Sequence, residues 1–203
     1  MGKILTFIKK LFFSKKEKGS LTIIGVGPGD PSCLTIEATK ALKKSKVIFY
    51  PISGEDKKSY SKKIVRKYIK NKKQIPLIFP MANKKYDSEV IWKNSAKEIA
   101  AFITKEIPVS LLCLGDTSIY ASSFYLKDEI KKSYPDIKIT TIPGISSLSL
   151  AAALGDFQLI KKGEILNIVE CPDDKDQLFN LINKQSKTVL AIMKVGKRWE
   201  WVK

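Results

Sequence analysis

The run Val109-Ser110-Leu111-Leu112-Cys113-Leu114 is apolar throughout except for one small hydroxyl. A strand that is apolar on both faces must be covered on both, and that is the condition of a central strand in a parallel sheet. Parallel neighbours need a long crossover, usually a helix, and the flanking pattern supplies several. Strands are expected at 21–26, 47–50, 74–79 and 137–142, with helices at 32–44, through Ile64, Val65, Tyr68 and Ile69, and at 87–105 with Asp87 as N-cap. A further helix through Phe124, Leu126 and Ile130 must stop before Pro135, and a short one covers 146–154. The predicted fold class is therefore α/β, with residues 21–154 as a first domain. Residues 155–163 break the pattern and read as a linker. Beyond them come a strand at 165–169, a helix at 173–184 capped by Asp173 or Asp174, and a strand at 188–193. Residues 164–203 are thin for a domain whose usual floor is ~50 residues.

Charge narrows the partners. Lys and Arg total 37 against 20 Asp and Glu, a net charge of +17 over 203 residues, which favours an anionic partner. Only Arg66 and Arg198 are arginines, so sequence-specific reading of nucleic acid is not expected. The chain has no histidine, which removes the Ser-His-Asp and HExxH designs. Cys33, Cys113 and Cys171 form no CxxC, so no protein-bound metal is expected, and Cys113 reads as a small buried hydrophobe. An odd number of cysteines and no cleavable leader pattern point to a cytoplasmic setting. Residues 1–20 place Ile4, Leu5, Ile8, Leu11 and Phe12 near one helical face among lysines. Lys9 and Lys10 leave the apolar stretch too short to span a bilayer. A solvated basic extension is expected there, with weak contact to a membrane surface as the alternative; the Met1-Gly2 acylation pattern carries little weight.

Three turns follow predicted strands. Gly25-Val26-Gly27-Pro28-Gly29-Asp30-Pro31 has glycines that permit positive φ and close approach of a ligand, but its spacing is neither that of the dinucleotide fingerprint nor of a P-loop. Gly115-Asp116-Thr117-Ser118-Ile119-Tyr120 puts a carboxylate at the end of the most apolar strand, as a helix N-cap or a ligand to a cation. Pro143-Gly144-Ile145-Ser146-Ser147 opens a short helix with free N–H groups. Parallel strands carry their carboxyl ends on one edge, so the three turns are expected to line one crevice.

GVGPGDP at 25–31, LGDTSIY at 114–120, PGISS at 143–147 and IMK at 192–194, in this order and spacing, resemble the tetrapyrrole (corrin/porphyrin) methylases. Phe79-Pro80-Met81 followed by Trp92 looks most like the branch that methylates C20 of precorrin-2 or cobalt-factor II. Thr117 and Ala121-Ser122 depart from that branch, which usually has Pro and Ser-Thr there. The resemblance implies two α/β domains with a ligand cleft between them, and S-adenosylmethionine as methyl donor. It implies donor contacts from Pro28, Leu114, Gly115, Asp116, Ile119, Ser146, Ser147 and Met193, and a tetrapyrrole trough that includes Gly27, Gly29 and Met81. Asp30 and Tyr120 are the candidates to orient or exchange a substrate proton. It also implies a homodimer. Family members continue past the IMK strand, so the second domain is expected to be incomplete. Other readings are a different methylase of the same family, acting on another ring carbon, an RNA ribose or the diphthamide precursor, and a non-catalytic basic protein that binds RNA or membrane.

Overall fold

The structure is a computed structural model, and it describes residues 19–54, 56–79, 88–183 and 187–203. The chain divides into two compact units between Ser147 and Leu148.

In the first unit, strands β1 (Leu21–Gly25), β2 (Val47–Ile52), β3 (Lys73–Ile78), β4 (Val109–Cys113) and β5 (Ile139–Ile142) form one sheet in the order β3-β2-β4-β1-β5. Every pairing is parallel. Helices α1 (Ile36–Lys44), α2 (Tyr60–Ile69), α3 (Ser88–Ile103) and α4 (Ser123–Ser133) make the crossovers. The apolar run behaves as its composition requires, since successive side chains point to opposite faces. Leu111 joins Leu21, Ile23 and Phe49 against Ile99, Ile103, Leu126 and Ile130 on the α3/α4 side. Leu112 joins Ile24 and Ile48 against Leu42, Ile64, Val65 and Ile69 on the α1/α2 side. Both leucines are fully buried, and burial of each contributes ~1.5–3 kcal/mol.

Two element bounds differ from expectation for local reasons. The first helix does not begin at Ser32: the Ser32 N–H donates to Asp30 Oδ1 at 2.7 Å and starts a separate 3-10 turn over Pro31–Cys33. Leu34 is then extended, and Thr35 caps α1 by accepting from the Ala38 N–H at 3.0 Å. Strand β2 runs on through Pro51 to Ile52, in register with Ile78 of β3. The pairing of β2 with β4 stops at Phe49, so the N–H that Pro51 lacks is not needed by the sheet. The Asp87 cap and the amphipathic segment of residues 1–18 lie outside the described residues.

Helix α5 (Ser147–Leu154) starts at the unit boundary. The expected order had it close the first domain; the compact units put all but its first residue in the second. That second unit carries parallel strands β6 (Ile165–Glu170) and β7 (Thr188–Met193), with α6 (Lys175–Asn183) between them and a last turn, α7 (Trp199–Val202). Asp174 is the cap of α6, accepting from the Gln177 N–H at 2.8 Å, whereas Asp173 pairs with Arg198 at 3.0 Å. No residue of β6 or β7 is fully buried, and Ile165, Phe179 and Ile182 are each more than half exposed.

Candidate functional site

Strand β1 lies between β4 and β5, so the three turns that follow these strands meet at the carboxyl edge of the sheet. Their backbones touch. Gly27 and Gly115 exchange two hydrogen bonds, each N–H donating to the other's carbonyl at 3.2 and 2.9 Å. A Cβ on Gly25 would lie 2.4 Å from the Gly144 nitrogen, and one on Gly144 would lie 2.2 Å from the Gly115 oxygen. No side chain fits at either position, because glycine alone lets the three chains approach this closely. Gly27 and Gly115 also need φ near +77° and +74°.

Asp116 joins the second turn to the third. Its Oδ2 accepts from the Gly144 N–H at 3.1 Å, and its Oδ1 accepts from the Ser118 N–H at 2.7 Å and from the Ser118 hydroxyl. It does not cap α4, whose N-cap is Ser122. Partial burial pushes the Asp116 carboxyl up, but the hydrogen bonds from Ser118, Gly144 and Thr117 outweigh it and hold the pKa below the ordinary carboxylate range. A carboxylate has about four acceptor positions. Gly144, the Ser118 N–H and hydroxyl, and Thr117 account for all four, so a ligand would share or displace one of these donors.

The other expected residues are distributed around this junction. Pro28 is half-buried, while Gly29 and Asp30 are exposed. A Cβ on Gly29 would meet nothing within 4 Å, so the protein itself has no steric need for glycine there. Hydrogen bonds from Ser32 hold the Asp30 carboxyl low; it is an acceptor that orients, and a weak base. Tyr120 sits at φ +48° and is 43% exposed. Leu114, just past the end of β4, is 47% exposed, and Ile119 is half-buried. Ser146 is half-buried and Ser147 exposed at the start of α5. Met193 ends β7 in the second unit, where its carbonyl accepts from the Cys171 N–H at 2.8 Å. Met81 lies outside the described residues. Cys113 is buried beneath the turn and burial pushes its thiol up, consistent with a packing role. Among the described residues no group of three or more Cys, Asp and Glu gathers that would hold a metal ion.

Two features of the structure go beyond what the motifs assigned to these residues. Phe79, Trp92 and Tyr125 form an aromatic row, with centroids 4.9 Å apart edge-to-face and then 6.0 Å apart stacked. The Phe79 N–H donates to the Ile52 carbonyl at 2.9 Å, just past the ends of β2 and β3, so the row starts on the same carboxyl edge. Tyr125, at its outer end, is 65% exposed and belongs to α4, whose sequence period does not single it out. The second is Ile145, an exposed aliphatic side chain beside Gly144.

The tetrapyrrole (corrin/porphyrin) methylase family model matches residues 20–203. The chain belongs to that family. Among relatives, it is 31% identical over 75% of its length to the "Probable cobalt-precorrin-2 C(20)-methyltransferase" of Methanocaldococcus jannaschii, and it spans 64% of that protein. It is 24% identical over 91% of its length to the cobalt-precorrin-2 C(20)-methyltransferase of Salmonella typhimurium, spanning 76% of it. A cobalt-precorrin-4 C(11)-methyltransferase of M. jannaschii is 33% identical over 64% of this chain and 44% of its own. The crystal structure of a cobalamin-synthesis-related protein from Corynebacterium diphtheriae has the same fold, with a TM-score of 0.68 at 22% identity over 89% of this chain and 74% of that one. A cobalt-precorrin-4 methyltransferase gives 0.60 at 18% identity over 80% and 61% of the two chains. The glycine junction thus occurs in a tetrapyrrole methylase chain whose matching segment begins one residue before β1.

Proposed function

We propose that the protein transfers a methyl group from S-adenosylmethionine to a carbon of a tetrapyrrole in cobalamin biosynthesis, and that the carbon is C20 of precorrin-2 or cobalt-factor II. The observation that carries this is the junction of three glycine turns around Asp116. It combines an ionised carboxylate, open space in front of Gly29 and Gly115, and exposed aliphatic side chains at Leu114 and Ile145. That set suits a nucleoside with cationic groups and an apolar base.

The donor, when bound, supplies a methyl group on a positively charged sulfur with a neutral leaving group. The charge is dispersed as the transfer proceeds, so orientation and exclusion of water matter more than a strong base. Asp116 would hold a cationic or hydroxyl group of the donor, with Pro28, Gly115, Ile119, Ser146, Ser147 and Met193 as further contacts. Leu114 and Ile145 would keep water from the reacting carbon. Gly27, Gly29 and Met81 would border the tetrapyrrole. Asp30, ionised and hydrogen-bonded by Ser32, would orient a pyrrole N–H at its other oxygen, and the Tyr120 hydroxyl would relay the proton released by the methylated carbon to water. A substrate fringed with carboxylates suits a chain of net charge +17. We place the enzyme in the cytoplasm as a homodimer.

Two relatives named for C20 support the position, and the C11 relative favours a second reading in which another ring carbon is methylated. Calorimetry with S-adenosylmethionine tests the donor site: binding that Asp116→Ala weakens is expected, and no binding by the intact chain would overturn the proposal. Incubation with precorrin-2 and with cobalt-factor II, followed by mass spectrometry and NMR of the product, tests the position. Methylation at C11 in place of C20 would select the second reading.

A further inference from the structure

Residues 57–86 contain no carboxylate, and nine Lys and Arg fall between Lys57 and Lys73. Helix α2 buries Ile64, Val65 and Ile69 against the sheet, which leaves Lys63, Arg66, Lys67 and Lys70 exposed. Between α2 and the start of edge strand β3 lies an open hollow of about 510 Å3, lined by Lys62, Arg66, Lys67, Ile69, Lys70 and Gln74. That volume falls within the ~300–1,000 Å3 of small-molecule sites. The walls are largely aliphatic, formed mainly by the stems of the long side chains, with the cationic heads around the rim.

The hollow is partly preorganised. Gln74 Nε2 donates to the Ile69 carbonyl at 2.8 Å, tying the end of α2 to β3. Lys62 Nζ donates to the Tyr50 hydroxyl at 3.3 Å and lies 4.6 Å from the centre of the Tyr50 ring. Among the described residues no carboxylate pairs with any of the four cations. The positive field extends to Lys72, whose Nζ donates to the carbonyls of Lys43 and Ser45 at 2.9 and 2.6 Å. Like charges gathered this way destabilise the chain until an anion sits among them. The location is the amino end of β3, the opposite edge of the sheet from the glycine junction.

We propose that this hollow is a second binding site, for a small organic polyanion: an apolar body that carries two or more phosphate, sulfonate or carboxylate groups. A bilayer surface would not use a concave recess of this size, and lysine heads suit scattered anionic groups better than the paired geometry that arginine reads. The site is independent of the methyl-transfer reading.

The test is a fluorescence titration of the full chain with pyrenetetrasulfonate, a flat apolar tetra-anion, at about 0.1 M salt. One site is expected that weakens by about tenfold or more in R66E/K70E. It should be unaffected by saturating S-adenosylmethionine, and it should bind inorganic tripolyphosphate, which has no apolar body, about tenfold less tightly. Thermal melting of the double variant should be no lower than wild type, since the change relieves repulsion at exposed positions; Lys67→Glu alone serves as the second variant. Binding by both variants within about threefold of wild type would overturn the proposal. Displacement by S-adenosylmethionine would do the same, and so would tripolyphosphate binding of equal strength, which would reduce the region to a diffuse cationic field.

Discussion

Asp116 shows how one side chain serves fold and site together. Its oxygens hold the third turn against the second and set an ionised carboxylate at the junction. Asp116→Asn should therefore lower stability by ~1–2 kcal/mol in denaturant melts and weaken S-adenosylmethionine binding in calorimetry. Loss of binding with unchanged stability would show that the bridge to Gly144 contributes nothing. The pH dependence has a definite sign. The folded pKa lies below the unfolded one, so the stabilisation is present above the ordinary carboxylate range and is lost as pH falls through the folded value. The stability gap between wild type and Asp116→Asn should accordingly close in acid. Gly29 makes the converse case, because its Cβ position faces open space. Gly29→Ala should leave the melting temperature unchanged while reducing tetrapyrrole affinity; unaltered affinity would remove Gly29 from the trough.

Among the elements, the order β3-β2-β4-β1-β5 is what turns three separate glycine motifs into one site. The strand that carries the first motif is flanked by the strands that carry the other two. Close approach at this edge predicts an asymmetry between glycines. Gly144→Ala drives a methyl group to 2.2 Å from the Gly115 oxygen, so the turns must separate, at a cost of ~1–3 kcal/mol or more. Gly115→Ala meets no neighbour and suffers only the left-handed backbone, ~1–2 kcal/mol. Urea melts of the two variants, with donor affinity measured alongside, should rank Gly144→Ala as the more damaging in both. The reverse order would mean that the turns are not pressed together as described.

For the whole molecule, the two units differ in how completely they bury their apolar residues. The first has helices on both faces of a five-stranded sheet. The second has a two-stranded sheet with no fully buried strand residue and exposed Ile165, Phe179 and Ile182. Exposed strand edges and apolar patches favour association. Light scattering should show the 203-residue chain self-associating, and Ile165→Lys with Phe179→Lys should shift it toward monomer. A monomer at all concentrations would show that these side chains are adequately solvated.

Local pattern was enough for much of this. The apolar run at 109–114 specified a central parallel strand, its alternation assigned Leu111 and Leu112 to opposite faces, and the turn motifs identified the family, because side-chain period and turn chemistry are properties of neighbouring residues. What the tertiary structure decided were the pairings between distant residues. Asp116 reads as a cap in sequence and becomes a bridge only when β5 lies beside β1, which brings Gly144, 28 positions away, within hydrogen-bond range. Pro51 reads as the end of a strand, yet β2 continues because β4 leaves it unpaired there. The row Phe79–Trp92–Tyr125 has no sequence period at all, since it joins the end of a strand to two helices. Contacts of this kind depend on strand order, and strand order is decided by packing of the entire sheet.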